Sequence, residues 1–465
     1  MPTLVVYRKR RGIEAVLLVF SIAIAISGYL LTHLDIDSAL PAEWPWAVAA
    51  LTLLALVAHV MVRWRIPYAD PLILPLTMFL NGIGLAMIHR LDLATTVTRE
   101  DGTVDRMHSA ELQLLWTAAS ILIFALVLIL LQNYEVLHRF PYILFTVGII
   151  MLLLPLVPGL GQEKNGSKIW ISTGFSSLQP AEFAKIILCV AFAAYLVDKR
   201  EVLSSAGKRL LGVELPRLRD LGPILLMWVI SVLVLFYQKD LGTALLFFGL
   251  FVAMLYIATE RPSYPIIGVL LFSAAAYAAY VLFAHVRTRV TAWLDPFSDF
   301  DTNYQIIQAQ FGFAWGGAVG TGWGLGRPNL TPLAKTDFIS AALGEELGVF
   351  GLAAIIVVYG VLIARGLRAA LGSQDPFGKL LAAGLSFIFA IQVFTILGGV
   401  TRLLPLTGLT TPFLSQGGSS LVANWVLVAL LMVVTHHARR PLVERSANPV
   451  VNFAADETMV LEGAR

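Results

Sequence analysis

Apolar runs of roughly 20 residues, broken by short polar links, recur along the whole chain. A helix of that length spans the hydrocarbon core of a bilayer. Twelve such runs lie near 13–32, 46–62, 71–89, 112–131, 141–157, 180–197, 222–237, 240–258, 264–283, 339–364, 380–399 and 421–436. The pattern predicts an all-α polytopic membrane protein of about 12 transmembrane helices. The seventh and eighth runs are separated only by Gln238, Lys239 and Asp240. That trio would be costly at mid-bilayer and is expected in a tight surface turn.

The pattern lapses over one long stretch, between the ninth and tenth runs. Asp295–Gly348 opens with three acids (Asp295, Asp299, Asp301), continues through a glycine-rich run from Gly312 to Gly326, and closes with Lys335, Thr336 and Asp337 at the edge of the next run. Loops of this length are functional or disordered. Its aromatic residues argue against disorder, and its glycines suggest close packing or close approach of a ligand. A second irregular stretch, Leu404–Ser420, carries Pro405, Gly408, Pro412, Gly417 and Gly418, which forbid a regular helix. Irregular backbone at that depth must be buried in protein or line a cavity, so a re-entrant segment is expected.

Composition agrees with the pattern: 58% of the 465 residues are hydrophobic, 14% are charged, and mean hydropathy is +0.78. A soluble enzyme of this size is excluded. The net charge of +3 gives no sign of nucleic acid. The single cysteine, Cys189, lies inside a run, so no intramolecular disulfide is available. The N-terminal basic run precedes an apolar run with no small-residue cleavage site after it, so no cleavable signal peptide is expected. Placement of charge decides orientation. With both termini on one side, 21 of the 33 Lys and Arg fall on that side, 11 fall on the other, and Lys185 lies within a span. The positive-inside rule then puts both termini in the cytoplasm. The unusual loops, 158–179, 237–240, 284–338 and 400–420, all fall outside and hold eight of the eleven outer basic residues. They read either as scattered snorkelling or as an external site for an anionic group.

Individual residues carry the same double reading. Trp170 suits an interfacial anchor. Pro180 suits a first helical turn. Glu182 and Lys185, three apart, can pair on one helix face, as a self-neutralising bridge or as a functional site inside a span. Asp240 and Thr243 open the eighth run, where capping is the first role for the acid and Lys239 faces the outer water. Asp337, just before an apolar run, is equally an N-cap or a catalytic acid. Of Glu345 and Glu346, at least one should point into the bundle or a wet cavity.

Several of these stretches resemble the SEDS family of peptidoglycan glycan-strand polymerases, whose members include RodA and FtsW. Trp170 with Gln179–Lys185 resembles the W…QPSE-x-AK signature, Ala181 replacing Ser. Gln238–Thr243 resembles QPDLGT, with Lys239 in place of Pro. Asn303–Gln308 resembles the YQ-x-x-Q element. Thr336–Asp337–Phe338 followed by Glu345–Gly348 resembles TDF…EELG. Ser415–Ser420 resembles SYGGS, with Gln416 where Tyr is usual. The matches run in family order from about residue 71 to about 440. The resemblance implies a ten-helix core over 67–440, an N-terminal basic segment and extra helical pair over 1–66 similar to the actinobacterial arrangement, and a cytoplasmic tail over 441–465. The last loop is nearer the RodA version than the FtsW version.

The implied activity is polymerisation of lipid II, a disaccharide–pentapeptide on a polyprenyl pyrophosphate, by inverting glycosyl transfer at the outer membrane face. A sugar hydroxyl displaces the pyrophosphate lipid, so a carboxylate must take a proton and cations or a metal must hold the leaving charge. On this reading Asp337 is the general base, and its place at a helix start should keep it ionised. The substrate-binding candidates are Trp170, Gln179, Glu182, Lys185, Lys168, Lys239, Asp240, Arg289, Gln308, Lys335, Glu345, Ser415 and Ser419. A divalent cation such as Mg or Mn is expected to assist, with no ligand pattern to mark it. The implied partner is a class B penicillin-binding protein, with membrane lipid around both. Role in elongation is expected, and division is the alternative. A lipid II flippase or a scaffold are readings of other classes; a flippase needs polar groups on both sides, whereas the motifs here crowd on one.

Overall fold

The computed structural model describes residues 11–441 apart from 37, 43, 99–103, 165–166, 173–176, 205–208, 211–212, 215–224, 226–228, 231 and 234–236. Thirteen α-helices of the described residues matter here. They are α1 (Arg11–Ile36), α2 (Trp44–Arg65), α3 (Ile73–Ala94), α4 (Ser109–Leu130), α5 (Pro141–Leu153), α6 (Pro180–Ser204), α7 (Leu241–Thr259), α8 (Ser263–Leu282), α9 (Ala284–Leu294), α10 (Tyr304–Gly316), α11 (Ile339–Gly372), α12 (Pro376–Val400) and α13 (Gly418–Arg439). Ten of them are long and apolar enough to cross a membrane, and α5 with its 3₁₀ extension is a shorter apolar helix. These account for eleven of the twelve expected spans. The twelfth, 222–237, lies largely outside the described residues, as does the expected tail beyond 441.

Helices α3, α6, α12 and α13 are the bundle's interior, buried along most of their length, whereas α1, α2 and α8 are mostly open to lipid. Apolar side chains gain little by leaving lipid for protein, so close packing and polar pairs must hold such a bundle together. Both are present. Gly82 of α3 admits α1 so closely that a Cβ there would sit 2.5 Å from the Ala25 Cβ. Glu14 of α1 is fully buried against Arg63 (2.6 Å) and His59 (2.9 Å) of α2. At one end of the bundle Asp70 is bridged by Arg365 and Arg439.

The motif-bearing residues collect at the other end. There the segment between α8 and α11 is folded, with α9 and α10 lying inside it. Its glycine-rich part packs against a break in α11. Gly348 has φ +68, and the chain passes so close to Gly320 (φ +87) that neither position has room for a side chain. The backbone groups freed by the break are met from the loop: Thr321 N–H donates to Glu345 O (3.0 Å), Gly322 N–H to Glu346 O (3.1 Å), and Val349 N–H to Gly317 O (3.0 Å). Interrupted helices are tolerated at this depth only with such partners. Within 158–179, β3 (Gly161–Lys164), β4 (Ser167–Ser172) and β5 (Ser177–Leu178) pair as a small antiparallel sheet, after a first pair of strands, β1 (Thr96–Thr98) and β2 (Val104–Arg106). The stretch after α12 enters the bundle without regular structure, as expected of a re-entrant segment. Leu409, Pro412, Phe413 and Leu414 are buried, and Phe413 meets the rings of Phe389 and Trp425.

Candidate active site

Asp337 ends the long loop, one residue before the α11 cap and two before its first residue. Its turn is fixed by the re-entrant segment. The Ser415 hydroxyl donates to Thr336 O at 2.5 Å, Gln416 N–H donates to Lys335 O at 2.7 Å, and Thr411 N–H donates to Ser415 Oγ at 2.9 Å. The two carbonyls just before Asp337 are thus tied to a loop more than 70 residues away. Gly408 of the same loop leaves the approach to Asp337 open: a Cβ there would be 3.8 Å from Oδ2.

Two sequence expectations for Asp337 need correction. The N-cap of α11 is Phe338, with no side-chain cap hydrogen bond, so Asp337 does not cap. Nor is it held firmly ionised by a helix start. Burial pushes its carboxyl up to about 6, against the pull of the Thr336 hydroxyl and the Arg289 guanidinium. A raised carboxyl is a better base than an ordinary one and still ionises near neutral pH.

Arg289, on α9, lies within electrostatic range of two acids. Burial lowers its guanidinium, while Asp240 and Asp337 both raise it. Its Nη1 donates to Leu406 O and Thr407 O of the re-entrant segment, both at 3.3 Å. Asp240 is the N-cap of α7, accepting from Thr243 N–H at 3.0 Å, and is raised chiefly by burial. That matches the capping role expected of it. Its Oδ2 is buried without a hydrogen-bond partner.

Behind this trio runs a buried polar line. Lys185 Nζ donates to Glu182 (2.6 Å) and to Gln392 Oε1 (2.9 Å), and Gln392 Nε2 donates to Thr410 O (2.9 Å). Glu182 is close enough to raise the Asp240 carboxyl. The expected Glu182–Lys185 pair is present. Gln392, its third member, gave no signal in the sequence beyond being an amide in mid-span.

The other candidates divide. Gln179, Ser415 and Ser419 are buried, while Trp170 and Gln308 are half-buried. Lys168, on β4, and Lys239, in the turn before α7 with φ +60, are exposed. Burial lowers the His285 imidazole most, and Arg289 and Lys239 lower it further. His285 escaped the sequence reading; its only signal was its place four residues before Arg289 on one helix face. Lys335 is not an open cation: it pairs with Asp92, whose other oxygen accepts from Ala110 N–H at 2.6 Å. Glu345 and Glu346 both point inward. Glu345 Oε1 accepts from Arg327 N–H (2.6 Å), and Glu346 pairs with Arg90 (2.9 Å) and accepts from Gly324 N–H (3.0 Å). They brace the glycine-rich loop. Arg90 and Asp92, like Gln392, were absent from the expected site.

Arranged this way, the end of the bundle offers a raised carboxylate within electrostatic range of a desolvated guanidinium, the exposed cation of Lys239 with the imidazole of His285 held neutral near it, and a braced irregular loop. That set can take a proton from a nucleophile and hold an anionic leaving group nearby.

Comparison with known proteins gives a consistent result. The model for the FtsW/RodA/SpoVE family, described as cell cycle protein, matches residues 71–440. A protein of Mycobacterium bovis named peptidoglycan glycosyltransferase RodA is 50% identical over 443 residues, covering 94% of this chain and 93% of its own. A Mycobacterium leprae protein of the same name is 47% identical over 459 residues, covering 97% and 96%. Among solved structures, one chain of a peptidoglycan synthase complex that coordinates polymerization and crosslinking has a TM-score of 0.55 at 23% identity, over 85% of this chain and 98% of that one. That likeness is one of fold.

Proposed function

The chain belongs to the FtsW/RodA/SpoVE family, and from that premise we propose how it works as a multi-pass membrane peptidoglycan glycosyltransferase of the RodA type. The substrate is lipid II, and the reaction is inverting transfer. The acceptor sugar's hydroxyl attacks the donor's anomeric carbon, the bond to the pyrophosphate lipid breaks, and Asp337 takes the hydroxyl proton. The observation that supports this reading above others is the carboxyl of Asp337, raised to about 6 by burial and within electrostatic range of Arg289.

Arg289, Lys239 and His285 are assigned to the leaving pyrophosphate. Lys185, held by Glu182 and Gln392, supports the floor of the site. Lys168 stands further out, on the β3–β5 sheet, and is assigned to first contact with the anionic head. Lys335 moves from phosphate ligand to strut. Among the described residues no group of three acidic, imidazole or thiol side chains converges on a metal site. Mg²⁺ is commonly held by one or two carboxylates plus substrate phosphates. Asp240, whose Oδ2 is buried without a hydrogen-bond partner, is the carboxylate we assign to such an ion, which would add electrostatic help to departure of the pyrophosphate.

The site faces the outer leaflet and both termini lie in the cytoplasm, as the bias of Lys and Arg supports. The partner is a class B penicillin-binding protein. Its membrane helix would lie against faces the bundle leaves to lipid, such as Phe350 and Val357 of α11, 70% and 62% exposed. A role in elongation follows the RodA relatives. Purified protein given lipid II, with no other polymerase present, should yield glycan strands; intact lipid II after prolonged incubation would favour the flippase or scaffold readings.

A further inference from the structure

A cavity of about 460 Å³ lies outside the candidate active site, between the N-terminal pair α1–α2 and the first two helices of the family core, α3 and α4. Its size is that of a small-molecule site. Its polarity is graded along the helices. Ala25, Ile26, Leu51, Gly82 and Leu85 line the apolar part. Tyr29, His33, His89 and Glu111 gather toward the end of the bundle that carries the motifs. His33 Nε2 and His89 Nε2 share a hydrogen bond at 2.7 Å, and the Tyr29 ring packs against both imidazoles, with centroids 5.2 and 4.7 Å away. The carboxylate of Glu111 is engaged by His108 at 2.9 Å. Trp46, 79% exposed, stands at the opening toward lipid.

We propose that this cavity binds one acyl chain of a membrane phospholipid, with the phosphate at the Tyr29–His33–His89 end. An apolar slot opening sideways into the bilayer fills with hydrocarbon rather than water, since its walls offer water no partners. The polar end selects an amphipathic occupant. Two imidazoles and a phenol make that end polar, and the single carboxylate there is already paired, so the cavity suits an occupant with an apolar chain and a polar head. The bound lipid would act as a spacer between the extra helical pair and the core. Its inner wall also reaches the catalytic end: Ala110 lines the cavity, and its N–H is the one that holds Asp92, the partner of Lys335.

The test uses the full-length protein in nanodiscs containing a phospholipid with a photoreactive diazirine near mid-chain. Adducts are mapped by mass spectrometry. Adducts at Leu85 and Ala86 should exceed those at Leu270 and Val281, on the lipid-facing α8, by about tenfold, as a preference of about 1.4 kcal/mol gives. Excess unlabelled phospholipid should compete them away. Ala47→Phe and Ala50→Phe fill the slot from its lipid side and should bring labelling down to the α8 level. Equal labelling at both places, labelling that survives both plugs, or displacement by a polyprenyl phosphate but not by phospholipid would overturn the proposal. Should either plug fail to fold, the wild-type ratio and the competition decide.

Discussion

Lys185 on α6 and Gln392 on α12 are joined in mid-bundle, Nζ to Oε1 at 2.9 Å, although 207 residues separate them. The same lysine holds Glu182, and the same amide holds Thr410 O of the re-entrant segment. The ion pair is therefore part of what fixes the irregular loop against the spans. Removing one member of a buried pair typically costs about 3–5 kcal/mol, because the other charge is left uncompensated. Lys185→Met alone should lower the thermal midpoint in detergent sharply. Glu182→Gln with Lys185→Met should recover much of that loss without recovering polymerisation. A double variant with wild-type activity would reduce the pair to a structural bridge.

Arg289 favours the ionised form of Asp337, so its removal should push that carboxyl above about 6. The ionised form is the base, so kcat/KM should rise with pH through the carboxyl's range and level off above it. In Arg289→Gln the rising limb should move to higher pH, and the plateau should fall as the leaving group loses a cation. A limb that stays in place would separate Arg289 from Asp337 and leave it to the carbonyls of Leu406 and Thr407.

Orientation is testable without activity. Thr302, exposed in the long loop, and Gln374, exposed between α11 and α12, lie on opposite sides in this account. With Cys189 replaced, a cysteine at Thr302 should react with an impermeant maleimide on intact cells, and one at Gln374 only after lysis. The reverse pattern would invert the molecule and move the site to the cytoplasm.

The spans were legible because hydrophobic length is a local property; apolar runs placed α1–α4, α12, α13 and the start of α11 within a few residues of where they lie, while α11 continues well past the expected 364, to Gly372. The motif stretches were legible too, and they do meet at one end. What the sequence withheld were partners. Lys335 looked like a free cation because Asp92 lies 243 residues away. Gln392 looked like an isolated mid-span amide because Lys185 and Thr410 belong to other elements. Asp337 looked like a cap because helix starts favour acids, but the re-entrant loop grips the carbonyls of Lys335 and Thr336, and the helix begins after Phe338. Burial then reverses the expected ease of ionisation.

The central claim is that Asp337 takes the proton, and Asp337→Asn tests it most directly. Asn keeps the shape and cannot act as a base at neutral pH. Because Asp337 makes no cap and its charge is disfavoured by burial, the variant should fold at least as stably as the parent and bind lipid II with little change. Polymerisation of lipid II by the purified variant should fall by roughly the hundredfold to ten-thousandfold that general-base catalysis supplies. A folded Asp337→Asn protein that polymerises near the parent's rate would contradict the account and return the search to Asp240.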